Sequence, residues 1–96
     1  MNTTLPATSM AHCFKTIEKR EDIPDLMKAQ EFIGGYVEVL RLPNGDVLLF
    51  DEEGTMKNLP VNDEASYLLQ SLYEQPTTLL VGNVIHLPKS LKQRKW

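Results

Sequence analysis

An Asn44-Gly45 pair between two apolar stretches is the feature that most constrains the fold of this 96-residue chain. Both residues tolerate positive φ angles, so Asn-Gly between two apolar stretches is the strongest short signal for a β-hairpin. The residues from 36 to 42 alternate as a strand does, and Val47 to Phe50 supply the return strand. The sequence therefore predicts an antiparallel β-hairpin at the middle of the chain.

Two segments with a helical repeat flank the predicted hairpin. Pro24 suits the first position of a helix, and the apolar spacing that follows it predicts a helix over about 24–32 that ends at Gly34-Gly35. Asn62 has the position and chemistry of an N-cap for a second helix, which ends before Pro76. The apolar stripe of this second helix comprises Ala65, Leu68, Leu69, Leu72 and Tyr73.

The two ends of the chain supply further predicted strands and define the fold class. Rough alternation predicts a first strand between His12 and Glu18, and a last strand from Thr78 to Leu87 that Gly82-Asn83 interrupts. The order is β-α-β-β-α-β, which predicts an α+β domain with an antiparallel sheet and two helices. This is the element order of ferredoxin-like domains, in which both helices lie on one face. The same order is compatible with helices on opposite faces.

Length and charge divide the chain into three parts. At 96 residues it is long enough for one domain and too short for two. We expect a flexible N-terminal arm at 1–11, a single α+β domain at 12–88 and a basic C-terminal tail at 89–96. Ten Lys and Arg against 13 Asp and Glu give a net charge of −3. Four of the ten lie in the tail, so the tail carries +4 and the remaining residues −7.

The inventory of reactive residues argues against several classes of protein. One cysteine and two distant histidines provide neither a disulfide nor a metal site, and we expect no cofactor. The acidic body repels nucleic acid. A membrane span of about 20 apolar residues and a secretory signal are both missing from the sequence, so we expect no membrane association and a cytoplasmic location. A hydrolase that uses Glu38 with Glu52 or Glu53 ranks last, because no nucleophile accompanies these carboxylates, and we expect no enzymatic activity.

Four short patterns in order resemble a family of small domains of unknown function from phages, plasmids and other bacterial mobile elements. The patterns are Gly34-Gly35-Tyr36-Val37-Glu38, Asp51-Glu52-Glu53-Gly54, Leu59-Pro60-Val61-Asn62-Asp63-Glu64-Ala65 and Val81-Gly82-Asn83-Val84, and the resemblance covers about residues 24–88. Asp51 stands where the family pattern has Asn. The resemblance implies a mobile-element origin and supplies no catalytic residue.

Seven residues of the body and four of the tail are candidates for binding. Gly34 and Gly35 can expose backbone N–H groups to an anion, although a helix C-cap explains them as well. With them we group Tyr36, Glu38, Lys57, Asn58 and Asn62 as ligand or partner contacts; Asn62 is also the predicted N-cap. Lys92, Arg94, Lys95 and Trp96 form a basic, aromatic tail that either grips an acidic partner or is simply solvated.

These candidates support two hypotheses about function. The first is an accessory protein of a phage or mobile element that inhibits or modulates a host protein by stoichiometric binding. The second is a small-molecule sponge that sequesters a nucleotide-type ligand of immune signalling. In either case we expect a homodimer, because a four-stranded sheet has edges that need to be covered.

Overall fold

The computed structural model describes residues 13–73 and 79–96, and its element order confirms the predicted α+β class. The four strands and two helices follow one another in the predicted order β-α-β-β-α-β, with a short 3₁₀ turn at Arg20–Asp22 and another at Lys89–Leu91. Their bounds are β1 Phe14–Thr16, α1 Leu26–Ile33, β2 Val37–Arg41, β3 Val47–Asp51, α2 Asp63–Ser71 and β4 Val84–Leu87.

The strands form one sheet in the order β1-β4-β3-β2. The predicted hairpin joins β2 to β3 with Val39 opposite Leu49, and Gly45 takes the positive φ of 95° that its turn requires. β4 pairs antiparallel with β3, but β1 runs parallel to β4, so the sheet is mixed rather than wholly antiparallel. Parallel neighbours need a long connection. Here nearly the whole domain lies between β1 and β4, which satisfies that need.

The two helices pack on opposite faces of the sheet, which is the second arrangement that the element order allows. Successive side chains of a strand point to opposite faces. In β3, Val47 and Leu49 belong to the apolar cluster that includes Ala29 of α1, whereas Leu48 belongs to the cluster that includes Ala65 of α2. The central strand is therefore covered on both sides, as the near-continuous burial of β3 requires.

Local signals set the ends of both helices. α1 begins at Leu26 and not at Pro24, because Asp25 is its N-cap: the Asp25 carboxylate accepts a hydrogen bond from the backbone N–H of Lys28 at 2.9 Å. Gly34 ends α1 in the left-handed conformation at φ 87°, as predicted. Asn62 caps α2 as predicted.

Some predicted boundaries fall on residues that the structure does not describe. The arm at 1–11, His12 and residues 74–78, which include Pro76 and Thr78, lie outside the described residues. The predicted break at Gly82 is present, since Val81 forms an isolated bridge with Val61 and β4 begins only at Val84. None of the helices in the described ranges has the length and apolar character that a bilayer crossing requires.

Candidate functional site

An internal ion pair lies at the centre of the predicted glycine-and-lysine site. The Lys57 Nζ is 2.8 Å from Oδ2 of Asp51 and 3.2 Å from the carbonyl oxygen of Gly34. The Asp51 side chain is almost fully buried, and its Oδ1 accepts a hydrogen bond from the backbone N–H of Glu53 at 2.8 Å. The hydrogen bond to Asp51 raises the pKa of Lys57 above its ordinary value. The structure thus brings Lys57 to the glycines as hypothesised, but its ammonium already holds the carboxylate of Asp51.

The lack of a side chain at Gly35 provides the space that this ion pair occupies. A Cβ atom at position 35 would lie 2.5 Å from Nζ of Lys57 and 2.8 Å from Oδ2 of Asp51, distances that real Cβ atoms do not show. The glycine is therefore needed for close packing against the ion pair, and Gly34 is needed for the left-handed helix end. The geometry accounts for both glycines without a ligand.

Asn58 and Asn62 have different positions. Asn58 lies exposed in the loop before α2 with a left-handed φ of 58°. Asn62 is 1% exposed; its Oδ1 accepts a hydrogen bond from the N–H of Ala65 at 3.1 Å. Its Nδ2 donates to the carbonyl oxygen of Gly82 at 2.8 Å and to that of Cys13 at 3.1 Å. Asn62 therefore ties β1, α2 and the segment before β4 together, and its side chain is not accessible to a partner.

A hydrogen-bonded chain of Thr16, His86 and Asp46 was not predicted from the sequence. Nδ1 of His86 is 3.1 Å from Oγ1 of Thr16, and Nε2 is 2.8 Å from Oδ2 of Asp46. Burial would raise the pKa of Asp46, but hydrogen bonds from His86 and from the N–H of Lys89 bring it below its ordinary value. The order hydroxyl, imidazole, carboxylate resembles that of hydrolase triads.

Further contacts of the hydrogen-bonded Thr16, His86 and Asp46 side chains give these residues a structural role. Oδ1 of Asp46 accepts a hydrogen bond from the N–H of Lys89, and the ring of His86 stacks on Phe14 at 5.5 Å. These hydrogen bonds thus connect the hairpin turn to β4 and β1. No sequence signal could have found it, because His86 is 40 residues from Asp46 and 70 from Thr16.

Two further predicted site residues lie at the edge strand β2: Tyr36 directly precedes it and Glu38 lies within it. β2 is the last strand of the sheet, and no strand in the described part of the chain pairs with its outer side. The N–H of Glu52 donates to the carbonyl of Tyr36, and the N–H of Leu42 donates to the carbonyl of Asp46. The backbone N–H and C=O groups of the even-numbered residues from 36 to 42 therefore point towards β3. Backbone groups alternate in direction along a strand. Those of Val37, Val39 and Arg41 therefore point away from the sheet.

A groove lies on each side of this edge. The α1-side groove, of about 340 Å³, is lined by Met27, Gln30, Glu31, Gly35 and Tyr36. The α2-side groove, of about 370 Å³, is lined by Glu38, Leu40, Phe50, Asp51, Glu52, Thr55, Leu69, Leu79, Leu80 and Val81. Neither lining contains Lys, Arg or His. Met27 and Tyr36 are 70% and 66% exposed, so apolar and aromatic surface is available beside the strand.

With these sites described, the chain can be compared with known proteins. A family model described as a domain of unknown function, DUF3846, matches residues 5–89. The chain belongs to the DUF3846 family. This confirms the predicted membership of a family of small domains of unknown function. Searches of curated proteins and of solved structures each found no match.

The basic tail of this DUF3846 chain lies mostly beyond the family match and is folded against the body. Nε1 of Trp96 donates to the carbonyl oxygen of Pro24 at 3.0 Å, and Nζ of Lys95 donates to that of Ile23 at 3.2 Å. The indole packs against the α1-side apolar cluster. Lys92 and Arg94 remain exposed. Of the four predicted tail contacts, two are therefore anchored to the body and two face solvent.

Proposed function

We propose that this chain is a non-enzymatic accessory protein of a phage or other bacterial mobile element that binds a protein of its host. It acts stoichiometrically in the host cytoplasm and inhibits or modulates its target. The partner contributes an extended segment that adds as a fifth strand to the outer side of β2. The family resemblance supports the mobile-element origin, and the geometry of β2 supports the mode of binding.

The outer backbone of β2, with which no strand among residues 13–73 and 79–96 pairs, is the observation that carries this proposal. Three alternate residues of β2, Val37, Val39 and Arg41, present outward-facing N–H and C=O groups that an added strand can pair with. In this kind of recognition, backbone hydrogen bonds provide affinity and pockets for alternate side chains provide specificity. The two grooves beside β2 are placed to receive side chains from alternate positions of the added strand.

The lining of the grooves determines the chemistry of the partner segment. Glu31 lies in the α1-side groove and Glu38 and Glu52 in the α2-side groove, whereas the third carboxylate there, Asp51, is held by Lys57. The other lining residues are uncharged and mostly apolar or aromatic, with Gln30 and Thr55 as the polar exceptions. Complementary charge favours encounter with a partner and disfavours others. The partner segment therefore carries Lys or Arg together with apolar residues, and nucleic acid is disfavoured.

A second copy of the chain is the competing occupant of the same edge. Pairing two β2 strands about Val39 brings the carboxylates of Glu38 and Glu52 from both copies to one face. Like charges placed close together destabilise such a pair. We therefore rank the heterologous partner above the predicted homodimer, and light scattering after size-exclusion chromatography measures the oligomeric state directly.

The hypothesis of a small-molecule sponge is less well supported at Gly34 and Gly35, where the sequence analysis placed the ligand. An anionic ligand at Gly34 and Gly35 would need the ammonium of Lys57, which is committed to Asp51 and to the carbonyl of Gly34.

Selection of peptides from a random display library tests the proposed function without knowledge of the host target. We expect enriched peptides to be extended, with Lys or Arg alternating with apolar residues. Val39→Pro removes one outward N–H and no hydrogen bond to β3, so edge strands tolerate it. It should weaken these peptides by about tenfold or more, the cost of one buried backbone acceptor left unpaired.

Two matched pairs of variants make this test specific. Val39→Ala keeps the N–H and trims the side chain, so it should bind more tightly than Val39→Pro. Glu38→Lys reverses a groove charge, whereas Glu53→Lys makes the same change outside both grooves. Binding that survives both Val39→Pro and Glu38→Lys contradicts the proposal. Capture of one host protein from lysate with the same variant dependence then identifies the target.

A further inference from the structure

The folded tail borders an open, solvent-accessible cavity whose charged lining residues are all cationic. It has a volume of about 370 Å³, and its lining consists of Arg20, Ile23, Lys92, Gln93, Arg94 and Lys95. We call it the basic cavity. Within the described residues no carboxylate lines it, although the rest of the chain is acidic. A concave site with one sign of charge concentrates ions of the opposite sign.

Hydrogen bonds to backbone carbonyls hold two of these cations in place. Nε of Arg20 donates to the carbonyl of Leu91 at 2.9 Å, and Nζ of Lys95 donates to that of Ile23 at 3.2 Å. In the described residues the ion pairs are Lys57 with Asp51 and His86 with Asp46, so no cation of the basic cavity has a carboxylate within ion-pair distance. The remaining N–H donors of the guanidinium and ammonium groups can bind an anion.

A second cavity adjoins the first and shares Ile23 and Lys95 with it. Its volume is about 400 Å³; we call it the mixed cavity. Its lining is Lys15, Ile17, Glu21, Asp22, Ile23, Pro24, Asp25, Lys28, Phe32, Ile85 and Lys95. Phe32 and three isoleucines offer apolar surface, and Nζ of Lys15 is 5.6 Å from the ring centre of Phe32. The carboxylates of Glu21 and Asp22 can accept hydrogen bonds from ligand N–H groups.

We propose that the two cavities form one binding site for an organic phosphate. The phosphate binds in the basic cavity, and the mixed cavity receives an organic part that is uncharged and carries N–H donors. The lining of the mixed cavity contains three lysines and three carboxylates, so its side chains carry no net charge and suit an uncharged organic part. Arginine and lysine are the side chains that bind phosphate, and arginine does so with two parallel hydrogen bonds. This site lies away from the outer side of β2 and is independent of the proposed partner.

Calorimetric titration with three probes tests the site on the full chain. The probes are adenosine 5′-monophosphate, adenosine and inorganic phosphate. We expect the nucleotide to bind more tightly than either fragment, and to bind more weakly as salt is added. The fluorescence of Trp96, the one tryptophan of the chain, gives a second readout because its indole donates to Pro24 in the wall of the mixed cavity. No saturable nucleotide binding at millimolar concentration overturns the proposal.

Matched variants assign the two halves of the site. Arg94→Gln should weaken nucleotide binding by about tenfold or more, since one charge-assisted hydrogen bond is lost. Lys89→Gln makes the same charge change in the same tail, outside both cavities, and should leave affinity unchanged. Phe32→Leu should weaken the nucleotide and leave inorganic phosphate unaffected. Equal effects of Arg94→Gln and Lys89→Gln, or equal losses of nucleotide and phosphate in Phe32→Leu, contradict the assignment.

Discussion

Substitution of Asn62 separates its two structural roles, helix capping and the tie between strands. Oδ1 caps α2 through the N–H of Ala65, and Nδ2 donates to the carbonyls of Gly82 and Cys13. The backbone N–H of Asn62 also donates to Leu80, so this residue helps to position the segment that lines the α2-side groove. Asn62→Ala removes every side-chain bond, whereas Asn62→Asp keeps the cap and removes only the donors.

The expected magnitudes follow from these contacts. Loss of an N-cap costs about 1 kcal/mol. The buried carbonyl of Gly82, left without its donor, costs about 1–3 kcal/mol more, whereas water can reach the carbonyl of the exposed Cys13. Asn62→Ala should therefore lower the free energy of unfolding by about 2–4 kcal/mol. In Asn62→Asp a carboxylate oxygen faces two carbonyl oxygens, so a loss of about 2 kcal/mol or more is expected at neutral pH although the cap is intact.

Urea unfolding followed by far-UV circular dichroism measures both losses. With an m-value of about 1–2 kcal/mol per molar urea, Asn62→Ala should lower the midpoint by about 1–4 M. Ser71→Ala serves as the control, because it removes an exposed hydroxyl bond in the same helix and should cost less than about 0.5 kcal/mol. A wild-type midpoint for Asn62→Asp would refute the reasoning, since capping alone would then explain the effect of alanine.

Two further predictions concern the ion pair and the pH dependence of stability. Gly35→Ala should cost about 1–3 kcal/mol, because its Cβ overlaps the Lys57–Asp51 pair; thermal unfolding checks this, and an unchanged midpoint would show that the pair moves aside freely. The pKa of Asp46 is lower in the folded protein than in the unfolded chain, so its stabilising contribution is complete above the ordinary value of 3.8 and is lost as pH falls through the folded value. Wild type should therefore lose more stability than Asp46→Asn as pH falls through this range in urea titrations, and equal losses would contradict the role given to His86.

Features that depend on a few adjacent residues could be predicted from the sequence. The Asn44-Gly45 turn, the left-handed Gly34 and the Asn62 cap all follow from local backbone preferences, and all are present. α1 begins at Leu26, two residues after the predicted start at Pro24. Asp25 takes the N-cap position because its side chain accepts a hydrogen bond from the first turn of the helix.

Features that depend on strand order could not be predicted. The alternation of β1 shows that it is a strand but not that β4 is its neighbour, because that pairing joins residues 70 apart. The availability of the β2 edge, the placement of α1 and α2 on opposite faces, and the contacts of His86 all follow from this long-range pairing. The sequence also predicted that Lys57 lies near Gly34 and Gly35, but it could not show that the ammonium group of Lys57 forms an ion pair with Asp51.

Amide hydrogen exchange, measured residue by residue by NMR on the free protein and on its complex with a selected basic peptide, tests the β2 proposal most directly. The account predicts slower exchange at Val37, Val39 and Arg41, whose N–H groups point away from the sheet. Thr16, which alternates away from β4 at the opposite edge, should exchange at an unchanged rate. A bound peptide that leaves the three β2 amides unprotected would contradict the account, because binding would then not use the edge of the sheet.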